Sequence, residues 1–189
     1  MSEPTRILLV GCGRMNLSHV QGLKNLPDQA TIVAGVDPFE AARKHIETEH
    51  DIAPTFAELQ DALNQVDADA AIIAVPNNLH ENYTQACLKK GLHVLIEKPM
   101  ALSLKDVDAM IATAEAEDRL LMSGQSQRFS TAIRYVKHLL DNNTVGKIRH
   151  VTHRRLGAGR GGDENSWFAK QALSGGILPG IGTHSLDVL

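Results

Sequence analysis

The chain has 189 residues, of which 43% are hydrophobic and 22% are charged, as in an ordinary globular protein with a sizeable core. Its net charge of −3 and aromatic content of 4% argue against a nucleic-acid partner, since such surfaces are usually basic or carry stacking rings. Two cysteines make no disulfide framework, and no apolar run suits a signal peptide or a membrane span, so we expect a cytoplasmic protein without a membrane partner.

Short apolar runs alternate with helical patterns between residues 6 and 122. The predicted strands cover 6–10, 30–36, 54–56, 70–75, 93–96 and 120–122. The predicted helices between them cover 17–26, 40–50, 58–63, 81–90 and 103–117. Strands that are apolar on both faces and separated by helices are typical of a parallel sheet with helices on both sides. We therefore predict the α/β fold class, with a doubly wound domain over residues 1–124.

The remaining residues have a different pattern. A helix is predicted at 131–140, and a half-buried strand at 147–155, where Ile148, His150 and Thr152 alternate with Val151. A glycine-rich loop follows at 157–162, and a helical run extends from 177 to 189. Because no Gly, Asn or Lys caps that last run, we expect residues 125–189 to be the incomplete beginning of a second domain.

The segment Gly11-Cys12-Gly13-Arg14-Met15-Asn16 lies between the first predicted strand and the first predicted helix, which is the context that a dinucleotide loop requires. Gly11 permits a tight turn. Gly13 lets the backbone approach a pyrophosphate at the helix N-terminus, where free N–H groups favour anions. Asn16 stands in place of the third glycine of the motif, and we expect it to loosen the packing of strand against helix. The alternative is a plain glycine turn.

Asp37 ends the second predicted strand, twenty-one residues after Asn16. A carboxylate at this point can accept hydrogen bonds from both ribose hydroxyls of an adenosine and repels a 2′-phosphate, which favours NAD over NADP. Arg43 is the nearest downstream cation, and we expect it on the helix surface, where it forms no phosphate clamp. The alternative for Asp37 is a turn residue before Pro38.

Two polar segments follow buried predicted strands and therefore lie on the rim where open α/β sheets bind ligands. In the first, Pro76-Asn77-Asn78-Leu79-His80, the side chains contact a nucleotide or, alternatively, cap the next helix or serve the structure alone. The second is Glu97-Lys98-Pro99. A partly desolvated lysine at this rim can act as an acid or base, whereas the alternative is a solvated Glu–Lys pair on the surface.

These motifs, in their order along the chain, resemble those of the Gfo/Idh/MocA family, the glucose–fructose oxidoreductase and inositol dehydrogenase group. The resemblance covers essentially the whole chain and is carried by Gly11-Cys12-Gly13, Asp37, Pro76-Asn77-Asn78-Leu79-His80, Glu97-Lys98-Pro99, Gly124-Gln125-Ser126-Gln127-Arg128-Phe129, Gly175-Gly176 and Gly182-Thr183-His184-Ser185-Leu186-Asp187. The combination of Glu-Lys-Pro with the final segments is specific, and the glycine loop is not.

The resemblance implies an N-terminal NAD(P)-binding Rossmann domain at 1–124 and, at 125–189, the beginning of an α+β substrate and dimerisation domain. It implies hydride transfer between NAD or NADP, of which Asp37 favours NAD, and a secondary alcohol of a sugar, inositol or related polyol. Lys98 would be the catalytic acid and base, with His184 bound to the same hydroxyl. The substrate would also contact Ser126 and Gln127. The cofactor would contact Gly11, Gly13, Arg14, Met15, Asp37, Pro76, Asn77, His80, Glu97 and Lys98.

The resemblance further implies a cis peptide before Pro99 and a homo-oligomer for a full-length version. No His, Cys or carboxylate stands at metal-ligand spacing from His184, so we expect no metal site. One position departs from the family pattern, because Gly180 stands where the family usually has an aspartate four residues before His184. This departure favours the alternative of a non-catalytic nucleotide-binding member or an inactive fragment. A methyltransferase with the same glycine loop is disfavoured by Glu97-Lys98-Pro99.

Overall fold

The computed structural model of the chain describes residues 3–154, 156 and 164–189. The predicted glycine-rich loop at 157–162 lies outside the described residues, as does Arg155 at the end of the predicted strand. Within the described ranges, the predicted alternation of strands and helices is confirmed.

Six parallel strands form one sheet in the order β3-β2-β1-β4-β5-β6. The strands are β1 Thr5–Val10, β2 Ala30–Val36, β3 Thr55–Phe56, β4 Ala70–Ile73, β5 His93–Ile96 and β6 Leu121–Ser123. The chain winds outward from β1 to β3, then crosses back to β4 beside β1 and winds outward in the other direction. This reversal confirms the Rossmann fold class, and it opens a crevice at the carboxyl ends of β1 and β4.

Eight α-helices accompany the strands in the described parts of the chain. They are α1 Arg14–Leu23, α2 Glu40–His50, α3 Leu59–Gln65, α4 His80–Lys89, α5 Leu104–Ala116, α6 Thr131–Asp141, α7 Gln171–Ser174 and α8 Thr183–Asp187. The first helix begins three residues earlier than predicted, since Gly13 is its N-cap and residues 14–16 form its first turn. The glycine loop is therefore shorter than the sequence pattern indicated, and the helix N-terminus lies closer to β1.

Both faces of the sheet are buried, as the apolar strands predicted. In β1, Leu8 and Val10 pack into a core that also contains residues of α3, α4 and α5. Their neighbours Ile7 and Leu9 point the other way, into a second core with Val20 of α1 and a residue of α2. Because successive strand residues face opposite sides, a strand buried on both faces is a continuous apolar run.

The prediction of a strand at 147–155 is wrong for residues 147–154, which form no regular element and are exposed. A strand requires a neighbour that pairs with its backbone N–H and C=O groups, and none of the described residues pairs with this segment. The helical run predicted from residue 177 is also divided, because a π-helical turn at Leu178–Gly182 precedes α8. Pro179 lies in the first turn of this segment.

Candidate functional site

A groove of about 630 Å³ lies at the carboxyl ends of β1, β2, β4 and β5. Ten of its lining residues are the ones that the sequence assigned to a cofactor: Gly11, Gly13, Arg14, Met15, Asp37, Pro76, Asn77, His80, Glu97 and Lys98. Residues from beyond β6 also line it, namely Ser166, Trp167, Phe168 and Gly180. The fold thus brings segments from five parts of the chain to one crevice.

The turn after β1 requires glycine at one position. Gly11 has a φ of +88°, and a Cβ added to it would lie 2.5 Å from the carbonyl oxygen of Ala74, at the end of the neighbouring strand. Gly13, in contrast, has no atom within 4 Å of an added Cβ. Gly11 therefore allows the loop to pack against β4, while Gly13 leaves open space beside the N-terminus of α1.

Asn16 does not loosen the packing of strand against helix, so that expectation was wrong. Its side chain is fully buried, and its Nδ2 donates hydrogen bonds to the carbonyl oxygens of Val10 and Gly11 at 2.9 and 2.5 Å. The amide joins the end of β1 to the first turn of α1. Where a glycine would allow close packing of the two backbones, the Asn16 side chain joins strand and helix through these two hydrogen bonds.

The N-terminus of α1 is suited to an anion. Its N-cap is Gly13, which offers no side chain to accept from the first N–H groups of the helix. Arg14, the next residue, is exposed and adds a positive charge. Unsatisfied N–H groups, the helix dipole and a guanidinium together favour a phosphate at this end of the groove.

Asp37 is 9% exposed, and its carboxylate is held by the backbone. One oxygen accepts the N–H of Cys12 at 2.8 Å, and the other accepts the N–H of Phe39 at 2.9 Å. Each carboxylate oxygen has a second lone pair, so the group can still accept from a ligand's hydroxyls. The two backbone bonds orient the carboxylate toward the groove before any ligand arrives.

Arg43 is half-buried rather than exposed on the helix surface, contrary to the expectation. Its Nη1 donates to the carbonyl oxygens of Asp37 and Pro38, at 2.7 and 3.1 Å. The guanidinium therefore stabilises the turn after β2, which presents the Asp37 carboxylate. The pattern of residues could not reveal this contact, because it depends on how α2 folds back over the turn.

The segment after β4 is held in place by two side chains. Asn77 is 5% exposed and caps no helix; its Nδ2 donates to the carbonyl oxygen of Ser174 at 2.7 Å. His80 is 1% exposed, with Nδ1 2.7 Å from Pro99 O and Nε2 3.0 Å from Val75 O. Burial lowers the pKa of His80, and a neutral ring donates to one of these carbonyls at a time. His80 thus joins the ends of β4 and β5, and it also borders the groove.

Glu97 is buried, and its carboxylate has a partner that the sequence did not reveal. Nε2 of His19, on α1, lies 3.0 Å from Oε1 of Glu97, and Oε2 accepts the N–H of Lys98 at 3.3 Å. Burial alone would raise the pKa of Glu97, but the hydrogen bond and charge of His19, with the contribution of Lys98, lower it. The carboxyl group is therefore ionised at neutral pH although little of it meets water.

Lys98 follows directly and reaches across the groove. Its Nζ donates to the carbonyl oxygen of Gly180 at 3.0 Å, and the peptide bond between Lys98 and Pro99 is cis, as the resemblance implied. His184, in α8, is 8% exposed and lies four residues after Gly180. The lysine ammonium thus contacts the turn that leads into the helix carrying the histidine.

An ion pair fixes the position of that helix. The Arg128 guanidinium binds the Asp187 carboxylate through Nε at 3.0 and 2.8 Å and through Nη2 at 2.5 Å. Asp187 lies in α8 with His184, and Arg128 lies in the 3₁₀ turn Ser126–Phe129 after β6. That turn contains Ser126 and Gln127, and neither they nor His184 belong to the described residues that line the groove.

Sequence reasoning also missed the aromatic wall of the groove. Trp167 and Phe168 pack edge to face, with ring centroids 5.6 Å apart, and both line the groove. A Cβ added at Gly180 would lie 3.5 Å from Cε2 of Phe168, in ordinary contact. Tyr83 and Phe39 line the groove as well. Nothing in the sequence placed the pair at 167–168 beside the cofactor groove.

Two features are absent from the part of the chain that the structure describes. No cluster of three His, Cys, Asp or Glu side chains in these parts of the chain could hold a metal ion. Among the same residues, every helix is too short or too polar to cross a membrane.

Comparisons with known proteins point to one family. The GFO/IDH/MocA family profile described as an oxidoreductase family with an NAD-binding Rossmann fold matches residues 5–125. A GFO/IDH/MocA C-terminal domain profile matches residues 133–189.

Individual relatives are similar to the chain at low identity. A myo-inositol 2-dehydrogenase of Thermotoga maritima is 30% identical over 151 residues, covering 79% of this chain and 45% of the relative. An inositol 2-dehydrogenase of Rhodococcus erythropolis is 29% identical over 193 residues, covering 99% and 52%. The WlbA dehydrogenase of Bordetella pertussis, solved with NADH and UDP-GlcNAcA, is 28% identical, with a TM-score of 0.73 over 78% of this chain and 42% of that one. The chain spans about half the length of the relatives it matches.

Proposed function

The chain belongs to the GFO/IDH/MocA family of oxidoreductases, which confirms the resemblance seen in the sequence, and from that premise we propose its reaction. The proposed reaction is hydride transfer between the nicotinamide of NAD and a secondary alcohol carbon of a sugar, inositol or related polyol. The observation that carries the proposal is the position of Lys98, which lines the cofactor groove and extends its ammonium to the turn before His184.

The residues of the groove fit a dinucleotide. The open space at Gly13 and the uncapped N-terminus of α1 suit a pyrophosphate, and the oriented carboxylate of Asp37 suits the adenosine ribose. A 2′-phosphate would meet that carboxylate and be repelled, which supports NAD rather than NADP. The Asp37 end would hold the adenosine, and the β4 and β5 ends would hold the nicotinamide.

When bound, NAD supplies the acceptor for the hydride that leaves the alcohol carbon. The chain's own part is to remove the hydroxyl proton. In the neutral form, the Lys98 amine accepts this proton, and His184 hydrogen-bonds the same oxygen and helps to carry the proton away. Oxidation then gives the ketone and one proton released to solvent, and the reverse reaction returns the proton from the Lys98 ammonium.

A second candidate is a nucleotide-binding protein without catalysis. The observation that favours it is the contact of Lys98 with Gly180, where the ammonium donates to a backbone carbonyl. Glycine has no side chain, so residue 180 itself supplies no carboxylate to orient a substrate.

The test is reduction of NAD, followed at 340 nm, with myo-inositol and a panel of sugars and sugar nucleotides as probes. We expect turnover with at least one probe, its loss by orders of magnitude in Lys98→Ala, and retention of NADH binding by that variant. Lys105→Ala, an exposed lysine of α5, is the matched control. Turnover that survives in Lys98→Ala would contradict the role of the lysine. Saturable NADH binding without oxidation of any probe would instead support the second candidate.

A further inference from the structure

A histidine on the first helix binds the residue before Lys98. Nε2 of His19 lies 3.0 Å from Oε1 of Glu97, and the two side chains are only 24% and 11% exposed. Since an ionised carboxylate can only accept, the imidazole must donate this hydrogen bond. The residues are 78 positions apart, so the contact exists only because α1 packs over the end of β5.

The Glu97 carboxylate is confined on its other sides as well. Oε2 accepts the backbone N–H of Lys98 at 3.3 Å. After β6, a Cβ added to Gly124 would lie 3.2 Å from Oε1, a tight contact, so the missing side chain leaves room for the carboxylate. The group is therefore fixed by a side chain from α1, by the backbone of Lys98 and by close packing against residue 124.

Removal of the imidazole would leave a charged group with too few donors. A buried carboxylate that loses a partner is strongly disfavoured unless another donor or cation replaces it. One candidate is the ammonium of Lys98, whose charge already favours the ionised form of Glu97. The long lysine side chain can turn from Gly180 toward this carboxylate, because its four methylenes are flexible.

We propose that His19 is a positioning residue that keeps the Glu97 carboxylate occupied, so that the ammonium of Lys98 extends across the groove instead of pairing with Glu97. The proposal rests on the proposed function, because the direction of the Lys98 side chain matters for catalysis only if Lys98 is the acid and base. Its structural content, that Lys98 pairs with Glu97 when His19 no longer binds this carboxylate, is tested without substrate.

The experiment measures the reactivity of the Lys98 amine in the full 189-residue chain. Trace acetylation with acetic anhydride at pH 8 is quantified by peptide mass spectrometry, with the exposed Lys105 of the same molecule as internal reference. In His19→Ala we expect the Lys98 rate, relative to Lys105, to fall about tenfold, because pairing with a carboxylate typically stabilises a protonated amine by about one pK unit.

Two further variants separate this role from a merely structural one. In the double variant His19→Ala with Glu97→Gln, a neutral amide cannot capture the ammonium, so the Lys98 rate should return to near its original value. In His19→Gln, the side-chain amide can still donate to Glu97, and the rate should be largely retained. His45→Ala, an exposed histidine of α2, is the control and should leave the rate unchanged.

An unchanged Lys98 rate in His19→Ala overturns the proposal, as does a fall that Glu97→Gln does not reverse. If His19→Ala does not fold, as judged by circular dichroism, His19→Leu fills the same volume without a donor and carries the same expectation. The labelling needs no substrate, so it succeeds or fails independently of turnover. Turnover retained by Lys98→Ala would refute the proposed function and leave the labelling result intact.

Discussion

Replacement of Gly11 by alanine should destabilise the protein through local geometry alone. The backbone at this residue has a φ of +88°, a conformation that costs an L-residue with a Cβ about 1–2 kcal/mol. The new Cβ would also lie 2.5 Å from Ala74 O and 3.0 Å from its carbonyl carbon, and relief of such an overlap in a packed region costs roughly 1–3 kcal/mol. We therefore expect a loss of about 2–5 kcal/mol in the free energy of unfolding.

For a chain of this size, that loss corresponds to a fall in Tm of about 4–20 °C. Urea unfolding followed by circular dichroism gives the free energy directly. The matched control is Gly13→Ala, two residues away, where φ is −82° and nothing lies within 4 Å of the added Cβ. It should cost no more than about 1 kcal/mol, since alanine is a poorer N-cap than glycine, and yet weaken NADH binding. Equal stability of the two variants would refute the reasoning, because only the contact with Ala74 and the sign of φ distinguish them.

Three other outcomes follow from the same structure. Asp37→Ala should weaken NADH binding more than NADPH binding in a fluorescence titration, and an unchanged ratio of affinities would exclude Asp37 as the ribose ligand. The hydrogen bonds from Arg6 lower the pKa of Asp69 from 3.8 to about 2. The stability that this carboxylate contributes is therefore present above pH 3.8 and is lost as the pH falls toward 2. Asp69→Asn should make the urea midpoint less sensitive to pH in that interval, and an unaltered profile would contradict the assignment. Burial raises the pKa of Cys12 and Cys87 to about 12, so iodoacetamide at pH 8 should label both thiols slowly in the folded protein and rapidly in urea, and fast labelling without urea would show that these thiols are accessible.

Local sequence determined most of the first domain. Strands such as Ile7–Val10 and Ala70–Ile73 are apolar at consecutive positions. Such strands are stable only where helices cover both faces of the sheet, and the alternation of strands and helices then favours a parallel, doubly wound sheet. That residues from these turns line one groove was predictable for the same reason. Parallel strands end at one edge, so residues that follow β1, β2, β4 and β5 converge there whatever the details of packing.

Local sequence could not determine the contacts that join distant elements. The bond from His19 to Glu97, the amide of Asn77 on Ser174 O and the ammonium of Lys98 on Gly180 O connect residues 78, 97 and 82 positions apart, and no spacing rule encodes them. The prediction of a strand at 147–154 was wrong for the same reason. Alternation there indicated a β conformation, but a strand is stabilised by its neighbours, and the described residues provide none.

The sequence by itself thus determined the sheet, its order of elements and the set of residues at its edge, because these depend on periodicity and on short-range turn chemistry. Tertiary structure alone decided which of those residues touch. It brought the His19 imidazole into hydrogen-bond distance of Glu97 and packed Phe168 beside Gly180. It also oriented the Asp37 carboxylate with two backbone N–H groups. The physical reason is that a hydrogen bond or a packed ring depends on distances of a few ångströms between elements, and only the folded arrangement of the helices over the sheet sets those distances.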